Sequence, residues 1–331
     1  MRGKILLLSS VAILALYGCS SKEYYTPQTI HPKTAVGSTA DIVYFSRDGA
    51  TLSSGLTLTS TDQFNLKLND GYRFINRVEN KVVVADKRGG CKVIIDGKEQ
   101  KVNFPKALVA GTIIGDALVY LLQDNNFGIY NLSTKSIVYN NKGEKVYSID
   151  TRIANPLQVD NLVVIPLLDG KLVVLDLRTL KVSKEIYVST ESSLNNIIFL
   201  KRFKKSLIAA TPHKVISVSN QGKKEFDREV SEVLIDDDSV FVFSKDGRVS
   251  KLDESMVVQA EKKFKFAHFS TSALYKDKIY ALDKQGYLIV SNKNFTKDST
   301  YEFSEVEGYS FVSGKYLYYD KNRIDLTTLS Y

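Results

Sequence analysis

The chain reads as an all-β protein, a β-propeller of seven or eight four-stranded blades, on three observations. Short runs rich in Val, Ile, Leu, Tyr and Phe are broken by tight-turn signals and then resume. These broken pairs recur near every 40 residues from one end of the chain to the other. Helical periodicity is nearly absent, and only Thr190 to Phe203 has room for one turn of helix.

The first segment is of another kind. Arg2 and Lys4 precede the apolar run Ile5 to Leu16, and Leu16-Tyr17-Gly18-Cys19 follows it. A basic start, a short apolar stretch and a small residue before a Cys resemble the lipobox of bacterial lipoproteins. The resemblance implies that residues 1–18 are a cleaved signal and that Cys19 becomes the lipid-bearing first residue. Ser20 and Ser21 follow where an Asp would suggest inner-membrane retention, so the periplasmic face of the outer membrane is the expected location. Residues 19–40 contain Pro27, Pro32 and Gly37 without apolar periodicity and read as a flexible lipidated tether. A single propeller domain is then expected over residues 41–331.

Within that domain the clearest repeat is Leu162 to Leu168, the turn Asp169-Gly170, Lys171 to Leu177, and a third strand near Val182 to Val188. Related hairpins are Ser239 to Ser244 with Asp246-Gly247, and Lys278 to Leu282 with Gln285-Gly286, where Gly supplies the positive φ of the turn. Fainter copies turn at Gly89-Gly90, Asn126 to Gly128, Pro212 to Lys214 and Lys321-Asn322, and a first copy at Asp48-Gly49. Turn marks at 49, 90, 127, 170, 213, 247, 286 and 322 are spaced by 41, 37, 43, 43, 34, 39 and 36 residues, with a mean of 39. A four-strand unit of about 40 residues suits a propeller blade, whereas a β-sandwich has no such period and a β-helix repeats at about 20 to 30.

Asp169 to Lys181 resembles the blade motif of the quinoprotein-like propeller superfamily, with Leu180 where that motif usually has Gly. Phe226, in Gly222 to Phe226, and Tyr139, in Lys135 to Tyr139, stand where its Trp is usual. A lipobox followed only by propeller is similar to the BamB-like lipoproteins of the outer-membrane β-barrel assembly machinery. That resemblance implies a non-enzymatic scaffold, monomeric within a complex, that binds envelope proteins such as the barrel-assembly insertase through loops between blades. No partner-binding residue is carried over from it.

Enzymes of the same superfamily stack a quinone cofactor on Trp, and this chain has no Trp. Asp236-Asp237-Asp238 lacks alternating ligand positions and reads as a solvated turn. His31, His213 and His268 are far apart and without ligand spacing, so no metal, cofactor or catalytic residue is assigned. Once Cys19 is acylated, Cys91 has no partner in the chain and is expected to be a buried, inert thiol. The 45 basic residues less Arg2 and Lys4 leave 43 against 37 acidic, a balance of +6 that does not call for nucleic acid. Lys201-Arg202-Phe203-Lys204-Lys205 reads as a hairpin tip, or as a contact for an anionic lipid or partner. The alternatives to a scaffold are a periplasmic propeller hydrolase, lyase or dehydrogenase, whose catalytic residues would converge from several blades, and a surface adhesin.

Overall fold

The structure, a computed structural model, describes residues 23–32, 36–69, 71–191 and 193–331; the signal and Cys19 lie outside them. The apolar runs form the middle strands of antiparallel meanders. In the clearest repeat, Leu162–Pro166 pairs with Lys171–Asp176, and Leu157–Val159 and Lys181–Tyr187 complete the sheet. Val163, Val164, Ile165, Leu172 and Val173 are all at most 1% exposed, because this strand pair is covered on both faces. That is why these strands read as unbroken apolar runs. The last strand is polar and mostly exposed, and its Lys181, Lys184 and Glu185 blunt a free sheet edge against pairing with other chains.

Eight such sheets follow one another among the described residues: blades 1 to 7 span 42–67, 73–103, 108–142, 157–187, 199–227, 230–263 and 269–302. Blade 8 takes Ser310–Ser313, Tyr316–Tyr319 and Asn322–Asp325 from the end of the chain and its outermost strand, Val36–Ser38, from the beginning. Val36–Ser38 belongs to the stretch read from sequence as tether. Tyr25 and His31 of that stretch are also seated. The Tyr25 ring lies edge-on to Phe264 and Tyr287, its hydroxyl is 3.3 Å from Thr300 Oγ1, and His31 N–H donates to the Thr300 carbonyl at 2.8 Å.

The core is divided into eight apolar clusters, each between two neighbouring blades. One of them packs Ile42, Ala50, Leu52 and Leu58 of blade 1 against Phe311 and Tyr318 of blade 8. An open stack of eight sheets would have seven interfaces, so the eighth cluster means that the ring is closed. Burial of each Leu, Ile or Phe in these clusters stabilises by roughly 1.5–3 kcal/mol. Tyr280 is 1% exposed in one of these clusters and donates its hydroxyl to the Leu326 carbonyl at 2.9 Å.

The turn between the second and third strands needs Gly for two reasons. Gly247 has φ +81°, and a Cβ there would lie 2.1 Å from the Phe264 carbonyl oxygen, because the chain leaving the blade's last strand is pressed onto the turn. The Phe264 N–H donates to the Gly247 carbonyl at 2.8 Å. Gly89, Gly170 and Gly286 occupy the same place in blades 2, 4 and 7, and Asn125 at φ +65° does so in blade 3.

Several sequence expectations are corrected. Gly128, placed in the blade 3 turn, lies inside the strand Asn126–Asn131. Asp48-Gly49 is the turn after the first strand of blade 1, one hairpin earlier than the repeat position, which Gly55 fills at φ +83°. Thr190 to Phe203 holds no helix among its described residues; they form an irregular connection that enters the strand Phe199–Phe203. The Lys201 to Lys205 cluster is split between that strand and its turn, with Phe203 buried at 3% exposure, so it is not one solvated tip. Leu180 adopts φ +54°, the left-handed conformation that explains why the related motif has Gly there.

Candidate functional site

Two long connections, residues 143–156 between blades 3 and 4 and residues 188–198 between blades 4 and 5, lie beside each other because short polar side chains pin their backbones. Asn125 Nδ2 donates to the Glu144 carbonyl at 2.9 Å and to Asp169 Oδ2 at 3.0 Å, while its Oδ1 accepts from Leu168 N–H at 2.9 Å. Fully buried Asn196 accepts from Asp150 N–H at 2.7 Å and donates to the Asp150 carbonyl at 3.1 Å. Asn195 Nδ2 donates to the Ser189 carbonyl at 3.0 Å. Burial pushes the Asp150 carboxyl up, but the Arg152 guanidinium, with contacts of 2.9 and 2.6 Å, outweighs it and holds the group below the usual carboxylate range.

Between these connections is a groove of about 250 Å³, lined by Glu144, Val146, Asp169, Tyr187 and Leu194. Tyr147 beside it is 84% exposed, and Tyr187 and Leu194 are 46% and 39% exposed. Lys171 reaches Glu144 at 3.2 Å and Asp169 at 3.6 Å; burial lowers its affinity for a proton, and the two carboxylates more than restore it. The surface is a rigid backbone platform that carries aromatic and aliphatic side chains on a charged rim, an arrangement suited to binding another protein.

The central channel is the second concavity. The first turn of blade 1 crosses it. Arg47 Nε donates to the carbonyl of Ile198, at the entry to blade 5, at 2.8 Å and its guanidinium pairs with Glu232 of blade 6. Asp48 accepts from Asn155 Nδ2 at 2.8 Å. Beyond this crossing lies a cavity of about 650 Å³, walled largely by the first strands of blades 6, 7 and 8.

Of the residues singled out from sequence, Cys19 lies outside the described residues. Cys91 is 1% exposed and burial pushes its thiol up to about 12, so it is the inert thiol expected. Asp236 caps its own turn by accepting from Asp238 and Ser239 N–H, at 2.9 and 2.7 Å, and pairs with Lys293 at 2.9 Å. His213 bridges Glu229 and the Ser193 carbonyl, and His31 stacks near Tyr301. Among the described residues no group of three or more His, Cys, Asp or Glu is placed to hold a metal ion. Sequence reasoning missed Asn125, Asn155, Asn196 and Arg47. Asn and Asp are ordinary loop residues, and only the fold reveals which of them bind a backbone some 40 or more residues away.

No family model matches the chain. Two plasminogen-binding proteins PgbB of Helicobacter pylori strains are each 24% identical over 97% of this chain and about 70% of their own length. Among solved structures, BamB from Moraxella catarrhalis superposes with a TM-score of 0.65 at 15% identity, over 87% of this chain and 98% of that one. The C-terminal WD40 domain of Sif2 gives 0.64 at 12% identity, over 89% of this chain and 98% of that one. The computationally designed Ika8 protein gives 0.57 at 14% identity, over 88% of this chain and 98% of that one. The chain has a BamB-like β-propeller fold.

Proposed function

We propose that the chain is a non-enzymatic binding scaffold of the bacterial envelope, a lipoprotein anchored through Cys19 at the periplasmic face of the outer membrane. Its partner surface is the platform formed by residues 143–156 and 188–198. The observation that carries this reading is the contrast at that platform: the backbone is pinned by Asn125, Asn195 and Asn196, while Tyr147, Tyr187 and Leu194 stand exposed upon it. Holding the backbone in place before contact reduces the entropy lost when a partner docks. The expected partner is the outer-membrane barrel-assembly insertase, as the fold likeness and the predicted lipid anchor suggest.

The test is affinity purification of the lipidated protein from detergent-solubilised envelopes, beside a Tyr147→Ala variant. Stoichiometric insertase with the wild type, reduced at least about fivefold with the variant, supports the scaffold. Recovery of the lipoprotein alone, or with a soluble redox partner, refutes it. A second reading is favoured by the 97% coverage of this chain in the matches to plasminogen-binding proteins: display outside the cell and binding of a host protein. Protease digestion of intact cells separates the two, since only a surface-displayed chain is cut.

A further inference from the structure

Of the charges around the central cavity, only Arg152, paired with Asp150, belongs to the platform. Of the charged side chains that line the cavity, five are basic, Arg47, Arg152, Lys201, Lys245 and Lys284, and one is acidic, Glu232. Three of the cations are matched: Arg47 by Glu232, Arg152 by Asp150 at 2.6 Å and Lys245 by Glu229 at 2.8 Å. Lys201 and Lys284 have no carboxylate within ion-pair distance among the described residues. Both are exposed residues of the cavity lining, so their ammonium groups are open to an anionic ligand. The cavity volume, about 650 Å³, is that of small-molecule sites.

We propose that this part of the channel binds a small-molecule oxyanion, a phosphate or a carboxylate, through the ammonium groups of Lys201 and Lys284. The crossing by Arg47 forms the floor of the site, its guanidinium fixed by the Ile198 carbonyl and by Glu232. The site opens on a different concavity from the platform groove, whose lining residues it does not share, and takes a different class of ligand.

The test uses the full mature chain with inorganic phosphate or citrate at about 10 mM, against sodium chloride of equal ionic strength so that simple screening cancels. Either oxyanion is expected to raise Tm by about 3 °C or more over chloride, and the Lys201→Gln/Lys284→Gln double variant to lose most of that rise. A rise with phosphate alone assigns a phosphoryl ligand, and with citrate alone a carboxylate ligand. No rise with either, or a rise that persists in the double variant, overturns the proposal. Should the double variant fail to unfold cooperatively, equilibrium dialysis of the wild type with labelled phosphate and with labelled citrate decides: saturable uptake of either near one per chain supports the site, and absence of uptake of both refutes it.

Discussion

Gly37 lies opposite Arg323 in the ladder that closes the ring, so a residue read from sequence as tether is paired with one near the other end of the chain. The pairing joins the two ends of the propeller through one short strand, and its loss leaves blade 8 with three strands and a bare edge.

Removal of residues 1–40 is therefore expected to lower Tm by roughly 5 °C or more relative to a chain that starts at residue 23, since three ladder residues and the seating of Tyr25 are lost together. Calorimetry of the two truncated chains side by side checks this; equal Tm values would mean that Val36–Ser38 contributes nothing.

Gly247→Ala and Gly97→Ala are expected to differ. Both residues have positive φ, +81° and +77°, but a Cβ at Gly247 meets the Phe264 carbonyl at 2.1 Å while at Gly97 nothing lies within 4 Å. The exposed turn at Gly97 should cost about 1 kcal/mol and the compressed one about 3 kcal/mol or more, as read from urea denaturation.

Alkaline pH should destabilise the fold. Burial pushes the Cys91 thiol and the hydroxyls of Tyr120 and Tyr280 up to about 12. Their protons are held more tightly in the folded state than in the unfolded one, so the stability they contribute is complete below about pH 9 and is lost as pH rises from 9–10 to 12. Tm measured from pH 8 to 11.5 should fall in that window. With Cys19 replaced by Ser, a thiol reagent at pH 8 should label Cys91 only after denaturant is added.

Asn196→Ala should cost about 1–3 kcal/mol and also weaken partner binding, because both its hydrogen bonds hold the backbone of Asp150. Tyr147→Ala, at a residue 84% exposed, should weaken binding while leaving the denaturation midpoint within about 0.5 kcal/mol of wild type. If both variants changed stability equally, the platform would be packing rather than contact surface.

Much of the fold was legible in the chain because a propeller repeats its chemistry. Middle strands buried on both faces, such as Val163 to Ile165, must be apolar throughout, and turns pressed by the following segment, as at Gly247, must lack a side chain. Blade 1 was placed one hairpin out because Asp48-Gly49 has the turn composition without the repeat position, and Gly55 lacks the Asp before it. The outer strand of blade 8 was hidden because Val36-Gly37-Ser38 is too short and too polar to show a period, and its partner is distant in sequence. The functional surfaces were nearly silent: Asn196 acts through the backbone of the neighbouring connection and Arg47 through a carbonyl across the channel, and no spacing encodes either.

The seat of Tyr25 between Phe264 and Tyr287 also sets the length of the leash. Five residues separate it from Cys19, so the two Cα atoms are at most about 20 Å apart along extended chain. An acyl group on Cys19 would thus moor the disc by its rim, at the junction of blades 6 and 7, instead of letting it swing on some twenty loose residues. Blades 2 and 3, across the ring from the mooring, would then stand farthest from the lipid and meet whatever approaches from the aqueous side.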